Sequence, residues 1–472
     1  MTTLTCLGAA RTVTGSKHLL EVDGHRVLID CGLFQGLKDL RLRNWQPLAV
    51  RADSIEAVVL THAHLDHCGY LPKLVAQGFR GRAWCTPGTA ELARIVMADA
   101  AKLQEEDAER ANRKGYTRHQ PAFPLFTVND ANRAMSILQP AGYNRPMPVV
   151  PGVEVEFINA GHLLGSAYAR ATLTGTGRTI LFGGDLGRYG RPVLPDPSPV
   201  PAADVLLVES TYGDRLHEPD DGGARLARII NDTVRRGGKV VIPAFALGRV
   251  EELLYWVSVL EQDKQIPVLP VYVDSPMASA ALAQYRKHAD ELDPEILELA
   301  KFGGPGAMAG QRRASAFGTA RLKVIASIPE SRAVQESTDP SIVISSSGMA
   351  TGGRVLHHLE KALPDARNTI LLAGYQAAGT RGRLLKDGAK TVKMHGHEVP
   401  VLATIESMDA LSAHADANEI MRWLGGFTQP PALTCLVHGE PAPMDALKAR
   451  IERELRWTVK TPNPAERIEL FG

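Results

Sequence analysis

Short apolar or alternating runs, each stopped by glycine, fill the first part of the chain. TLTCLGAA (3–10), HLLEVDG (18–24) and HRVLIDCG (25–32) read as β-strands. IEAVVLTHAH (55–64) is another strand, and it runs straight into a cluster of polar residues. Residues 88–113 have helical composition and spacing. A shorter helix follows over TVNDANRAMSIL (127–138), capped by Thr127 or Asn129. VEVEFINAGH (153–162), RTILFGGDLG (178–187) and DVLLVESTYGD (204–214) are strands that also end in polar residues, with a Pro-rich loop at 191–204.

The rhythm then changes to strand–turn–helix units beginning at Lys239, Val268, Ser341 and Asn368. Four such units argue for a mostly parallel sheet with helices packed on it. Strands return in KTVKMHGHEVPVLATIESM (390–408), where KMHGHEVP reads as a hairpin turning at Gly396, and in LTCLVHGE (433–440). A helix over ADANEIMRWLGGF (415–427) lies between them. The expected layout is an α/β domain, 1–208 and 391–472, interrupted by a second α/β domain at 209–390.

Composition narrows the class. The 472 residues are 44% apolar and 22% charged, which suits a globular protein of at least two domains. Apolar runs fall short of a membrane span and the start lacks a signal-peptide pattern, so a cytoplasmic protein without membrane contact is expected. Five cysteines with no CxxC suit reduced, buried thiols. A net charge of +1 excludes a uniformly basic nucleic-acid binder; any basic surface is local.

The polar cluster is THAHLDH, with His62, His64, Asp66 and His67 in six positions. Histidine and carboxylate are good zinc ligands. His62 and His64, two apart, share one side of an extended segment, and Asp66 and His67 turn past them as a helix starts. That spacing suits two ions rather than one. Three further residues have the same setting, an apolar run, a coordinating side chain and a glycine: His162, Asp185 and His438.

This series resembles the metallo-β-lactamase fold and, within it, the β-CASP nucleases. The likeness covers nearly the whole chain. GAARTVTGSKHLLEVDGHRVLIDCGLFQG, THAHLDHCGYLP, AGHLLGS and GGDLG resemble the general motifs, and VESTYGD, SAHAD and VHGE those specific to β-CASP members. Within that family the chain resembles the compact bacterial β-CASP ribonucleases and the catalytic subunit of the pre-mRNA 3′-end cleavage complex. The expected fold is an αββα sandwich with an inserted β-CASP domain on a mostly parallel sheet. The chain is expected to lack the C-terminal extension of RNase J members and the N-terminal RNA-binding domains of archaeal ones.

The resemblance implies two Zn²⁺ per chain. His62, His64 and His162 hold one, Asp66, His67 and His438 the other, and Asp185 bridges them. It implies Asp30 as a group orienting a ligand or water, and His414 as general acid with Glu209 as its partner. Paired metals activate water and clamp a phosphate. The implied activity is hydrolysis of single-stranded RNA, endonucleolytic with 5′-to-3′ exonuclease action as a second mode, leaving 5′-phosphate and 3′-hydroxyl ends. A DNA-processing β-CASP nuclease and a non-catalytic RNA-processing scaffold are the alternatives. DNA-processing members usually carry valine where His438 stands, and scaffolds have lost ligands that this chain keeps.

Substrate contacts are expected in the inserted domain, lying over the metals to form a long cleft. SSSGMATGGR (345–354) follows a strand and is expected to open a helix whose N–H groups favour phosphate, with Ser346, Ser347, Gly348 and Met349 as contacts. Phe245 is placed to stack a base, Arg249 to pair a phosphate, and Tyr212 to stand beside Glu209. Arg312, Arg313, Arg381 and Arg383 supply local positive charge. The nine histidines outside the motifs read as solvated or core residues. Oligomeric state is open, a homodimer included.

Overall fold

The computed structural model describes residues 1–472 except 116–118, 219–220, 295, 297–316, 409–410 and 472. The chain divides into two compact units: Met1–Gly190 with Asp196–Leu216 and His414–Gly472, and Arg191–Pro195 with His217–Ala413.

The first unit contains two seven-stranded sheets. One runs, edge to edge, Arg467–Phe471, Thr2–Cys6, His18–Val22, His25–Ile29, Ala57–Val59, Arg82–Cys85 and Leu138–Pro140. The other runs Val459–Lys460, Leu433–Val437, Val205–Glu209, Thr179–Phe182, Ala167–Leu173, Val153–Asn159 and Met147–Val150. Inward-facing residues of both sheets, among them Leu4, Val27, Val59, Phe157, Phe182 and Leu207, form one shared core. Alternate residues on the same strands are also buried, as Val58 and Leu206 show, so each sheet is covered on its outer face too. Over the second sheet the cover comes from Ala417–Leu424 and Pro441–Glu454, through Ile420, Trp423, Leu447 and Ile451. The result is the αββα sandwich of the expected fold.

Local signals place the helices well. The helix expected over 88–113 is Pro87–Lys114, with the Thr86 side chain accepting from Thr89 N. The next is Val128–Ser136, closed by a reciprocal box between Thr127 and Asp130, which selects Thr127 over Asn129 as its cap.

The second unit is built on a six-stranded sheet, in the order Leu322–Val324, Val271–Val273, Ile342–Ser345, Val240–Pro243, Thr369–Ala373 and Thr404–Met408. Every pairing in it is parallel. A separate hairpin pairs Thr391–Met394 with His397–Pro400. The insertion therefore differs from 209–390 at both ends. Val205–Glu209 is paired on both sides within the sandwich, between Thr179–Phe182 and Leu433–Val437. Thr404–Met408 extends the parallel sheet beside Thr369–Ala373. An alternating strand after a hairpin carries no sign of which sheet it will join.

Among the described residues no helix is long and apolar enough to cross a membrane. All five cysteines are buried and free.

Candidate metal centre

The candidate residues of the sandwich stand just beyond strand ends. Asp30 follows His25–Ile29, His62 and His64 follow Ala57–Val59, and His162 follows Val153–Asn159. Asp185 follows Thr179–Phe182, and His438 follows Leu433–Val437. Several of these strands run parallel, and the carboxyl ends of parallel strands are where α/β sheets present functional groups. After His64 the chain enters a four-residue helix, Leu65–Cys68, which turns Asp66 and His67 to a second position. Gly32 is required here: a Cβ on it would lie 1.6 Å from the Asp66 carbonyl oxygen.

Two donor groups result. In the first, His62 Nε2 lies 3.0 Å from His64 Nδ1, and His162 Nε2 lies 3.2 Å from the same atom. Asp185 Oδ2 is 3.4 Å from His62 Nε2 and 3.5 Å from His162 Nε2. A tetrahedral ion with bonds of about 2.0–2.1 Å has ligand–ligand edges of about 3.3 Å. These four donors have that spacing. In the second group, His67 Nε2 is 3.2 Å from Asp185 Oδ1, and His438 Nε2 is 3.4 Å from Asp66 Oδ2. The other His438 nitrogen is 3.6 Å from Asp185 Oδ1. Asp185 thus offers one oxygen to each group. His67 Nε2 and Asp185 Oδ1 are buried with no hydrogen-bond partner. Buried lone pairs converging in this way fit a bound cation.

Electrostatics agree. Burial drives His62, His64 and His162 below the ordinary histidine range, His64 to about 3, and neighbouring imidazoles add to the effect. Their lone pairs are available at neutral pH. Burial also opposes charge on His67, but Asp185 and Asp30 outweigh it and raise that ring well above its usual value.

Around the donors sits a set of orienting groups. Asp30 Oδ2 accepts from His67 Nδ1 at 2.7 Å, while Asp30 Oδ1 accepts from Thr61 N at 2.8 Å. Such a bond fixes the imidazole so that Nε2 faces the donor group. Thr61 Oγ1 lies 3.2 Å from His62 Nδ1, and Thr211 Oγ1 lies 3.1 Å from His438 Nδ1. Ser166 Oγ accepts from the His162 backbone N–H. These three hydroxyl residues are not among the sequence candidates. Thr61 and Thr211 sit beside motif residues, but threonine is common in strands and its sequence neighbours do not reveal what its hydroxyl meets.

Glu209 and His414 meet across 205 positions. His414 Nδ1 is 3.0 Å from Glu209 Oε1, which also accepts from Leu186 N at 2.8 Å. Ala415 N donates to Leu186 O, holding the His414 backbone beside Asp185. His414 Nδ1 is 3.9 Å from Asp185 Oδ2. Burial pulls the His414 imidazole down, but the Glu209 and Asp185 carboxylates outweigh it and push the ring up to about 9. The arrangement can hold a proton at neutral pH next to the donor groups. Tyr212 is buried, its ring 6.3 Å from that of His414.

The other candidates lie in the parallel-sheet unit. Ser346, Ser347, Gly348 and Met349 are in a loop after Ile342–Ser345, and the next helix, Val355–Ala362, starts only later. The stretch 345–354 does lead from a strand into a helix, capped at Arg354, but these four residues stand upstream of the helix's first turn. Ser346 Oγ donates to Ser275 Oγ, and Ser347 Oγ accepts from Thr351 N. Phe245 is 37% exposed and packs on Gly348, where a Cβ would meet its ring at 2.7 Å. Arg249 is buried in an ion pair with Glu252, a setting unlike the phosphate-facing one expected of it. Arg381 donates to the Ala350, Thr351 and Lys393 carbonyls, and Arg383 pairs with Asp387. Arg312 and Arg313 lie outside the described residues.

Known proteins share this organisation. The Beta-lactamase superfamily domain matches residues 25–232, the Beta-Casp domain 250–385, and the Zn-dependent metallo-hydrolase RNA specificity domain 398–462. The chain is 38% identical to Ribonuclease TTHA0252 of Thermus thermophilus, covering 93% of this chain and 94% of that one. It is 30% identical to an RNase J-like protein of Methanocaldococcus jannaschii, covering 89% and 88%. It is also 30% identical to the transcription termination factor FttA of that organism, covering 92% and 66%. A crystal structure of a protein of unknown function from Enterococcus faecalis V583 shares the fold, with TM-score 0.51 and 13% identity over 99% of both chains. By these matches and by the motifs that carry them, the chain belongs to the β-CASP family of metallo-β-lactamase-fold, metal-dependent nucleases.

Proposed function

We propose that the protein is a zinc-dependent ribonuclease that hydrolyses phosphodiester bonds of single-stranded RNA. The observation that carries this reading is the sharing of Asp185 between two donor groups, with the Glu209–His414 pair beside it. His62, His64, His162 and Asp185 would hold one ion, and Asp66, His67 and His438 the second, with Asp185 Oδ1 turned to it through His67 and His438. Ions bound there supply a nucleophile from water at neutral pH and offset charge on the phosphate.

The remaining work falls to the chain. Asp30 and Thr61 fix the ring orientations of His67 and His62. Glu209 engages His414 Nδ1, so the transferable proton sits on Nε2. Attack of water on phosphorus breaks the P–O3′ bond, and His414 delivers its proton to the departing 3′ oxygen. The products carry a 5′-phosphate and a 3′-hydroxyl. Support for RNA comes from the matched RNA specificity domain and from the ribonuclease names of relatives. Internal cutting is the proposed main mode, with 5′-to-3′ trimming as the second.

The test is end-mapping on a long single-stranded RNA with a blocked 5′ end, alongside the matched DNA strand. Internal cuts with 5′-phosphate ends support the proposal. Preference for the DNA strand, or no cutting unless the 5′ end is free, contradicts it.

A further inference from the structure

Three of the nine histidines outside the motifs meet on the surface of the parallel-sheet unit. His357 and Glu360 are three apart on helix Val355–Ala362, so their side chains share a face. Beside them stands the hairpin of Thr391–Met394 and His397–Pro400. Its two-residue turn is His395–Gly396, with φ of 48° and 96°. Both residues of a tight right-twisting hairpin turn need positive φ. Histidine, with Asn and Asp, is among the non-glycine residues found there most often. His395 lays its ring flat against His357, with centroids 4.4 Å apart and planes 14° apart.

The carboxylate lies between the remaining rings. His397 Nε2 is 2.9 Å from Glu360 Oε1, and His395 Nε2 is 3.9 Å from Glu360 Oε2. One donor atom each from His357, Glu360 and His395 falls within 4.8 Å of the others. Partial burial and the His395 ring pull His357 below its ordinary range, which leaves its lone pair available at neutral pH. Glu360 is 25% exposed and His395 34%, so an ion can enter from solvent.

We propose that His357, Glu360 and His395 form a separate surface site for one divalent transition-metal ion of the zinc, nickel or copper class. Imidazole selects these ions over magnesium and calcium, which favour all-oxygen ligands. One carboxylate with neutral imidazoles gives the site a net charge of −1, suited to a dication. The ligands come from two elements, a helix and a hairpin turn, and a bound ion links them. That helix follows the Ser346–Arg354 loop, so the link reaches the segment proposed for substrate contact. The site shares no residue with the sandwich centre and does not depend on the reading of that centre.

The test uses the full-length protein with its tightly held metal, cleared of loose ions by gel filtration and equilibrated by dialysis against Ni²⁺ in excess Mg²⁺. The wild type should take up one more Ni²⁺ per chain than the His357→Ala/His395→Ala double variant. His25→Ala, which removes a half-buried histidine of the sandwich unit, should keep the extra ion. Glu360→Gln should weaken uptake at least about tenfold. Ni²⁺ should raise the melting temperature of the wild type and leave that of the double variant unchanged. Single His357→Ala and His395→Ala variants serve if the double variant does not fold. Equal Ni²⁺ uptake by wild type and variants, or displacement of the extra ion by Mg²⁺, would overturn the proposal.

Discussion

Two clusters built around a buried aspartate teach opposite lessons. In the sandwich, side-chain nitrogens and oxygens of His62, His64, His162 and Asp185 lie 3.0–3.5 Å apart, and His64 Nδ1 faces two imidazole nitrogens at once. In the parallel-sheet unit, Asp274 is equally buried, and donors meet it from three sides: Ser331 Oγ, Arg354 Nη1 and His358 Nε2. Burial pushes the Asp274 carboxyl up, but His358, Ser331 and Arg354 hold it below the usual range. A cluster with a proton in every gap is complete and structural. A cluster in which more acceptors than protons converge on one point suits a bound cation. Composition alone does not separate the two.

Asp185 should be the position where this contrast costs most. Asp185→Ala removes a donor from both groups, and RNA cleavage should fall by more than about 10⁴-fold, with metal content falling in parallel. Gel-based cleavage assays and elemental analysis of the same samples check it. His414→Ala should slow cleavage by about 10²–10⁴-fold while leaving metal content unchanged. A parallel loss of metal would show that His414 acts as a ligand, not as an acid.

Asp274→Ala tests the other side of the comparison. It strands Arg354 and His358, and denaturant unfolding should report a loss of about 3–5 kcal/mol. Metal content should not change. Asp30→Ala should weaken metal affinity by about 10–100-fold, through a misoriented His67, measured by chelator competition. The smallest effect is a shift in pH dependence. With His414 pushed up to about 9, cleavage should hold through neutral pH and decline as pH rises past that value. Glu209→Gln removes the charge that raises the ring, so the alkaline limb of the rate profile should move to lower pH.

Much of the centre was legible in the sequence because each donor ends an apolar run at a turn: VVLTHAH, EFINAGH, LFGGD and CLVHG. That pattern follows from the physics of strand ends, where a buried run must release its polar groups. Pairing across distance was not legible. Asp66 and His438 meet across 372 positions, and only the resemblance joined Glu209 to His414. The hydroxyls of Thr61 and Thr211 carry no period or spacing of their own. In the insertion the strand–helix rhythm announced a parallel sheet, but not the edge position of Thr404–Met408. The Arg249–Glu252 pair was hidden as well, since a glycine turn before an arginine reads the same whether the side chain turns outward or in.

Two ions held around Asp185 by the seven donors should be countable by elemental analysis of the gently purified protein, after gel filtration strips loosely held surface metal. Two zinc ions per wild-type chain are expected, with both reduced in Asp185→Ala. Fewer than one zinc per wild-type chain, or full retention in the variant, would contradict that expectation.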